Sequence, residues 1–418
     1  MPRSEEFAQL AFDAGTVFSP AAPIDEWALF AGRTSQLRSV IDAIIQRGQH
    51  AMIFGERGVG KTSLANVLSD YLEARGQQVI APRVNCDVTD NFSSLWRKIL
   101  TEIEISRAVR GIGFAAETSL QTENLADHLP ETVTPHDVRK VLMMLSRGAL
   151  LIVIIDEFDR LPKGQTTALF ADTIKTLSDH SVGATLVLVG VADSVDELIQ
   201  EHVSVERALV QIPMPRMSEG ELHEIMLKGL ERLSMDIDGE ALGHISLLSQ
   251  GLPHYTQLLG LHSARAALDS GGKRIGVPHV EAAVQKAMTE AQQSIRNAYH
   301  RATTSPRKES LYRQVLLASA LANTDELGYF SAAAVRTPMS RIMGRYYDIP
   351  NFTRHLNDFA EERRGFVLQK TGVKHRIRYR FTDPLMQPYI VMRGLAEELI
   401  DKATMQELRR EKSESKAL

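Results

Sequence analysis

The stretch GERGVGKT at residues 55–62 decides how the rest of the chain is read. Gly55, Gly60, Lys61 and Thr62 meet the spacing G-x-x-x-x-G-K-T. Glycine lets backbone N–H groups turn inward around a phosphate chain, which a Cβ would obstruct. The N–H groups from Gly55 through Glu56, Arg57, Gly58, Val59, Gly60, Lys61, Thr62 and Ser63 would line such a cradle. Lys61 would neutralise charge at the β and γ positions, a binding and a catalytic part. Thr62 would offer its hydroxyl to Mg²⁺. A short motif recurs by chance, so its neighbours matter. HAMIFG (50–55) reads as a buried strand. From Lys61 to about Arg75, Leu64, Val67, Leu68 and Leu72 share one helical face. Strand, loop, helix is the context the phosphate reading requires, with the positive end of the helix aimed at the anion.

A second stretch completes the site. LLIVIIDEFDR (150–160) is an apolar run ending in acid, the pattern of a central strand. In open α/β sheets ligands bind at the carboxyl ends of strands. Asp156 therefore falls beside the loop, as a holder of Mg²⁺, and Glu157 falls where it would orient and activate an attacking water. A solvated acidic turn would look the same in isolation; the phosphate loop favours the functional reading.

Further outward, FAGRTSQLRSVIDAIIQRG (30–48), SSLWRKILTEI (93–103), TPHDVRKVLMMLSRG (134–148) and GQTTALFADTIKTLSDH (164–180) read as helices. VIAPRVNC (79–86), ATLVLVGVA (184–192) and ALVQI (208–212) read as strands. SVDELIQEH (194–202) reads as a short helix. Strands alternating with helices imply an α/β P-loop NTPase core with a parallel five-stranded sheet. Residues 104–133 read as an irregular insertion with some helix, and 1–27 as a proline-bearing approach. After PMPRM (213–217) the chain turns helical, opening on a capping box of Ser218 and Glu221. The expected division is 1–217 as nucleotide-binding core, 218–302 as an α-helical lid, 303–395 as a winged-helix domain and 396–418 as a tail. Its last residues, EKSESKAL (411–418), read as disordered.

GERGVGKT, IVIIDEFD and TLVLVGVADS together resemble an AAA+ or closely related STAND-type ATPase. FAGR, ahead of the first strand, resembles the segment these families place near adenine. The plan of core, helical lid and C-terminal winged helix is similar to the origin-recognition initiators of archaea and eukaryotes. The likeness spans roughly residues 18–390. It implies ATP or ADP with Mg²⁺ as ligands and a homo-oligomer or an effector protein as partner. By that resemblance Asp193 falls at a γ-phosphate-sensing position, although it also suits a helix cap. Arg207 falls where an arginine reaches a neighbouring subunit's nucleotide, although an ion pair with Glu206 or Glu201 would occupy it too. GLPHYTQLL (251–259) sits where the lid meets nucleotide. Many AAA+ members carry arginine at the position of His254; GLPH is closer to the Gly-x-Pro of STAND ATPases, with Pro253 and His254 as contacts.

Charge adds a module. Residues 301–380 carry 15 Lys/Arg against 7 Asp/Glu, a surplus of +8, while the whole chain is −4, leaving −12 elsewhere. A basic module on an acidic body suggests a polyanionic partner. PNFTRHLNDFAEERRG (350–365) reads as a helix, followed by a hairpin in which Arg376, Arg378 and Arg380 alternate with Ile377, Tyr379 and Phe381. Helix, helix, helix, hairpin is winged-helix order. Double-stranded DNA would then meet Lys370, Lys374, Arg376, Arg378 and Arg380 at its phosphates, and Asn351, Arg354 and His355 at base edges. Asp358, Glu361 and Glu362 on that helix oppose this, and winged helices also serve protein contacts.

At 418 residues two or three domains are expected. With 44% apolar and 24% charged residues the composition is that of a soluble globular protein. The longest apolar run, ALLIVII, is far short of the roughly 20 residues a bilayer needs. Cys86 is the single cysteine, which excludes an internal disulfide and a cysteine-based metal cluster. A cytoplasmic, non-membrane protein is expected, with chemistry confined to the β–γ phosphate bond.

Overall fold

The computed structural model describes residues 3–103, 105–110, 118–191, 203–306, 310–373 and 376–417. It divides into two compact units. One comprises Met1–Pro23, Glu56–Gly60 and Pro215–Leu418, and the other Ile24–Gly55 and Lys61–Met214. Helix α1 (Arg3–Val17), in the first unit, stands where the sequence reading expected only an approach segment.

The second unit is an α/β layer structure. In chain order it holds α2 (Thr34–Ile45), β1 (His50–Phe54), α3 (Lys61–Glu73), β2 (Val79–Ile80), β3 (Arg83–Asn85) and α4 (Phe92–Thr101). A hairpin of β4 (Ile105–Arg110) and β5 (Thr118–Glu123) follows, then α5 (Pro135–Leu145), β6 (Leu150–Asp156), α6 (Gln165–Asp179), β7 (Ala184–Gly190) and β8 (Leu209–Pro213). The main sheet runs β2/β3–β6–β7–β1–β8, all parallel. It has the five positions expected, but VIAPRVNC is two strands rather than one. Pro82 has no N–H to give the ladder, so β2 stops at Ile80 and pairing resumes at Arg83, while the Pro82 carbonyl still accepts from Ile154 N at 2.9 Å. The antiparallel β4–β5 pair corrects the reading of 104–133 as irregular; in ISRAVR, Arg107 interrupts the face of Ile105 and Val109, and TSLQTE has one apolar residue, so neither run shows the alternation by which a strand is recognised. The expected helix at 194–202 lies outside the described residues.

Parallel strands covered on both faces read as unbroken apolar runs, and β6 and β7 are buried almost throughout. Below them Trp96, Phe92, Phe158 and Phe170 form one aromatic cluster, with Trp96 stacked on Phe170 at 6.2 Å between ring centroids. Thr134 caps α5 with Pro135 in its first turn, as the sequence requires.

The first unit continues with α7 (Glu219–Arg232), β9 (Asp236–Ile237), α8 (Gly239–Ser249), α9 (Pro253–Asp269), β10 (Arg274–Ile275), α10 (Val277–Glu290) and α11 (Gln293–Thr303). Ser218 and Glu221 form the expected capping box on α7. The lone β9–β10 pairing, two residues long, interrupts an otherwise helical layer. Phe18, just past α1, packs where Gly229 and Gly260 leave no side chain: a Cβ on Gly229 would stand 2.5 Å from its ring. That docking gives α1 its partner.

Then come α12 (Tyr312–Leu321), β11 (Phe330–Ser331), α13 (Ala332–Met343), α14 (Ile349–Phe359), β12 (Leu368–Thr371) and β13 (Arg378–Phe381). The antiparallel sheet is ordered β11–β13–β12. Helix, strand, helix, helix and hairpin make a winged-helix order. Tyr379 and Phe381 are buried and Arg378 is exposed, as the alternation dictates. Two helices close the chain, α15 (Met386–Ala396) and α16 (Lys402–Ala417). The latter corrects, as far as residue 417, the reading of 411–418 as disordered: Met405 and Leu408, three residues apart, bury one face, and the polar tail continues their helix. No helix among the described residues is long and apolar enough to cross a membrane.

Candidate functional site

In the second unit, β1 delivers Gly55 against Met214, whose carbonyl a Cβ on Gly55 would overlap. Only glycine fits that approach. Lys61 opens α3, and its Nζ donates to the Gly55 carbonyl at 3.0 Å. One residue on, Thr62 Oγ1 donates to Asp156 Oδ2 at 2.8 Å. Asp156 ends β6 and is 4% exposed. Ser63 Oγ accepts from Ile24 N at 3.1 Å, so its side chain ties down the chain entering the unit.

Glu157 follows with φ 55, the left-handed region that a non-glycine residue rarely adopts. Its N–H donates to Asp156 Oδ1 at 2.8 Å, and its half-exposed carboxylate pairs with Arg160 at 2.7 Å. Strain of this kind gathers at functional sites. Arg83, on β3, was not singled out by the sequence: its Nη2 lies 3.2 Å from Asp156 Oδ2 and its Nη1 donates to Asn66 Oδ1. Beside it Cys86 is buried, and that burial, with Asp90 close by, raises its thiol pKa well above the usual range.

The first unit holds the middle of the loop, Glu56–Gly60. Val59 is fully buried and Arg57 exposed; Gly58 and Gly60 take φ +84 and +95, which glycine alone adopts freely. Glu56 is buried against Arg216: Nε donates to Oε2 at 2.6 Å and Nη2 to Oε1 at 3.3 Å. The same guanidinium donates to the Gln250 carbonyl at 3.2 Å and to Gln387 Oε1. Gly328 (φ +80) abuts Glu56 so closely that a Cβ there would overlap the carboxylate. A Cβ on Gly58 would meet Leu385 at 3.1 Å, and Tyr255 OH donates to the Leu385 carbonyl at 2.8 Å. Pro253 stands 3.8 Å from the position a Gly60 Cβ would take. His254 instead turns to the Pro20 carbonyl, with Nδ1 at 2.7 Å, and burial lowers its pKa.

Of the remaining candidates, Asp193 and Lys374 lie outside the described residues. Arg207 is exposed on a short 3-10 turn, Val203–Arg207. In the basic module Lys370, Arg354 and Arg376 are exposed. Arg378 pairs with Asp325 at 3.0 Å, Arg380 donates to Gln369 Oε1 at 2.8 Å, and both guanidinium groups lie near the Tyr329 ring. Asn351 caps α14 by accepting from Asp348 N at 2.9 Å. His355 packs edge-on to Tyr312, and burial lowers its pKa. Asp358 is buried and accepts from Tyr312 OH at 2.6 Å and from Arg363, so its carboxylate is turned into the module.

A comparison with family models matches residues 44–199, which contain the loop, Asp156 and Glu157, to the AAA domain. Residues 44–199 are thus similar to an AAA domain. Among curated protein sequences none matches the chain. Solved structures with a similar fold include the Aeropyrum pernix ORC2 protein in ADPNP–ADP complexes (15% identity, 93% of this chain and 97% of that one, TM-score 0.48). The Aeropyrum pernix ORC1 protein in complex with DNA is another (16%, 92% and 97%, TM-score 0.47). A third is the Thermotoga maritima RuvB Holliday junction branch migration motor (15%, 84% and 93%, TM-score 0.44). The match runs from the end of α2 past β7, short of β8, the helical layer and the basic module.

Proposed function

We propose that the protein binds ATP or ADP with Mg²⁺ on the Gly55–Thr62 loop, hydrolyses ATP slowly, and uses nucleotide state to set what its winged-helix module engages. The observation that carries this reading is the 2.8 Å hydrogen bond from Thr62 Oγ1 to Asp156 Oδ2, across 94 residues of sequence. A hydroxyl and a carboxylate that close are hard oxygen donors of the kind Mg²⁺ accepts alongside phosphate and water. The ion, when bound, would supply charge neutralisation on the phosphoryl oxygens. Lys61 would exchange the Gly55 carbonyl for the phosphate tail, as the Gly55–Ser63 backbone wraps it. Glu157 would orient a water in line with the β–γ bond and take its proton, exchanging its pairing with Arg160 for the water. Asp193 would sense the γ-phosphate, Pro253 and His254 would touch the nucleotide from the lid, and Arg207 would serve a neighbouring copy in a homo-oligomer. A cytoplasmic setting fits the single buried cysteine.

For the output we favour duplex DNA on the winged helix, through Arg354, Lys370 and Arg376, which are exposed, with Arg378 and Arg380 on β13 and, from the sequence, Lys374. One observation supports a second reading, a STAND-type regulator that recruits a protein effector. Arg378 and Arg380 already have partners, Asn351 caps its own helix and His355 packs on Tyr312. Phosphate release from ATP by the wild type and by Glu157→Gln tests the core proposal. Turnover abolished in the variant with nucleotide binding retained supports it; equal turnover in both overturns the role of Glu157.

A further inference from the structure

Arg83 meets Asp156 at the very oxygen, Oδ2, that accepts from Thr62. Its geometry is specific. The guanidinium is braced by Asn66 on α3 and reaches Asp156 from the neighbouring strand, two residues before the Asn85–Asp156 register pair. Arg83 Nε is buried with no hydrogen-bond partner, so a fork of five donors is incompletely used. Asp156 is buried, and a lone carboxylate there would be costly. The arginine supplies the counter-charge, on the same oxygen that Thr62 shares.

We infer that Arg83 is a positioning residue that neutralises Asp156 until Mg²⁺ arrives with nucleotide, and then yields Oδ2 and turns its donors to the phosphate oxygens. This rests on the reading of the loop as a Mg²⁺–nucleotide site. Metal entry and arginine release are then one exchange, and the pocket never holds an uncompensated carboxylate. Arginine suits the second half of the exchange because its planar fork matches phosphate as well as carboxylate.

Equilibrium titration of fluorescent ADP, with Mg²⁺ varied and with EDTA, reads both halves in wild type, Arg83→Ala and Arg83→Lys. In Arg83→Ala the Mg²⁺ concentration at half effect falls about tenfold, because the competing cation is gone. Its affinity for ADP at saturating Mg²⁺ also falls about tenfold, because a charge-assisted hydrogen bond to phosphate is removed. Arg83→Lys, which keeps the charge without the fork, falls between and carries the test should the alanine variant fold poorly by thermal melting. Wild-type values for both quantities in both variants overturn the inference while leaving the nucleotide site standing. No ADP binding by the wild type overturns the site and the inference together.

Discussion

Arg216 Nε donates to Glu56 Oε2 at 2.6 Å, joining the segment that leaves β8 to the second residue of the phosphate loop. Gln250 and Gln387 take the other donors of the same guanidinium. Position 56 of the loop is thus held by an arginine that also bonds the residue closing α8 and the second residue of α15. The Glu56 side chain is thereby a structural anchor within the first unit.

Removing Arg216 takes from the buried Glu56 carboxylate a counter-charge held by two hydrogen bonds. Arg216→Ala is expected to cost about 3 kcal/mol of unfolding free energy. Glu56→Gln with Arg216→Met, which removes both charges, is expected to recover most of it. Urea unfolding of the single and double variants measures the coupling directly.

Gly328 makes a related prediction. Its φ of +80 disfavours any L side chain, and a Cβ would overlap Glu56. Gly328→Ala is expected to destabilise by about 2 kcal/mol, part backbone strain and part clash. In a Glu56→Ala background the clash disappears and the strain stays, so the cost of the same substitution falls by roughly half. An unchanged cost, measured by thermal melting, would place the whole effect in the backbone.

His50, on β1, is fully buried; its Nδ1 accepts from Leu186 N at 3.0 Å, and burial lowers its pKa to about 4. The unfolded chain, with an ordinary histidine near 6.5, then binds the extra proton first. The full contribution is present above pH 6.5 and is lost as pH falls toward 4, about 3 kcal/mol over that window. Unfolding free energy measured between pH 7.5 and 4.5 should fall more steeply in the wild type than in His50→Gln.

For the winged helix, replacing Lys370, Arg354 and Arg376 with alanine is expected to weaken duplex binding on every sequence alike. The slope of log affinity against log salt should drop by about one for each phosphate that the replaced side chains had neutralised. Fluorescence anisotropy at several salt concentrations measures both. Wild-type affinity and slope in the triple variant would favour the effector-protein reading.

The phosphate loop and the strand-end acids were legible because their chemistry is local: glycine positions, a lysine, and an apolar run ending in Asp156. Capping at Thr134 and Ser218 was legible for the same reason. Arg83 and Arg216 were not, since their partners lie 73 and 160 residues away and no spacing rule connects them. Helix α1 escaped because it carries no cap signal and finds its partners in Gly229 and Gly260, whose role is to be empty. The β2–β3 break was in plain view as Pro82, yet a proline on an edge strand is compatible with a continuous strand until pairing is seen.

The central claim is that the loop around Lys61 and the carboxylate of Asp156 together hold a magnesium-bound nucleotide. Calorimetric titration of ADP in Mg²⁺ into the wild type, Lys61→Ala and Asp156→Asn tests it most directly. The account predicts saturable one-site binding by the wild type, no detectable binding by Lys61→Ala, and loss of the magnesium-dependent part in Asp156→Asn. Binding by all three proteins with the same affinity and the same magnesium dependence would contradict it.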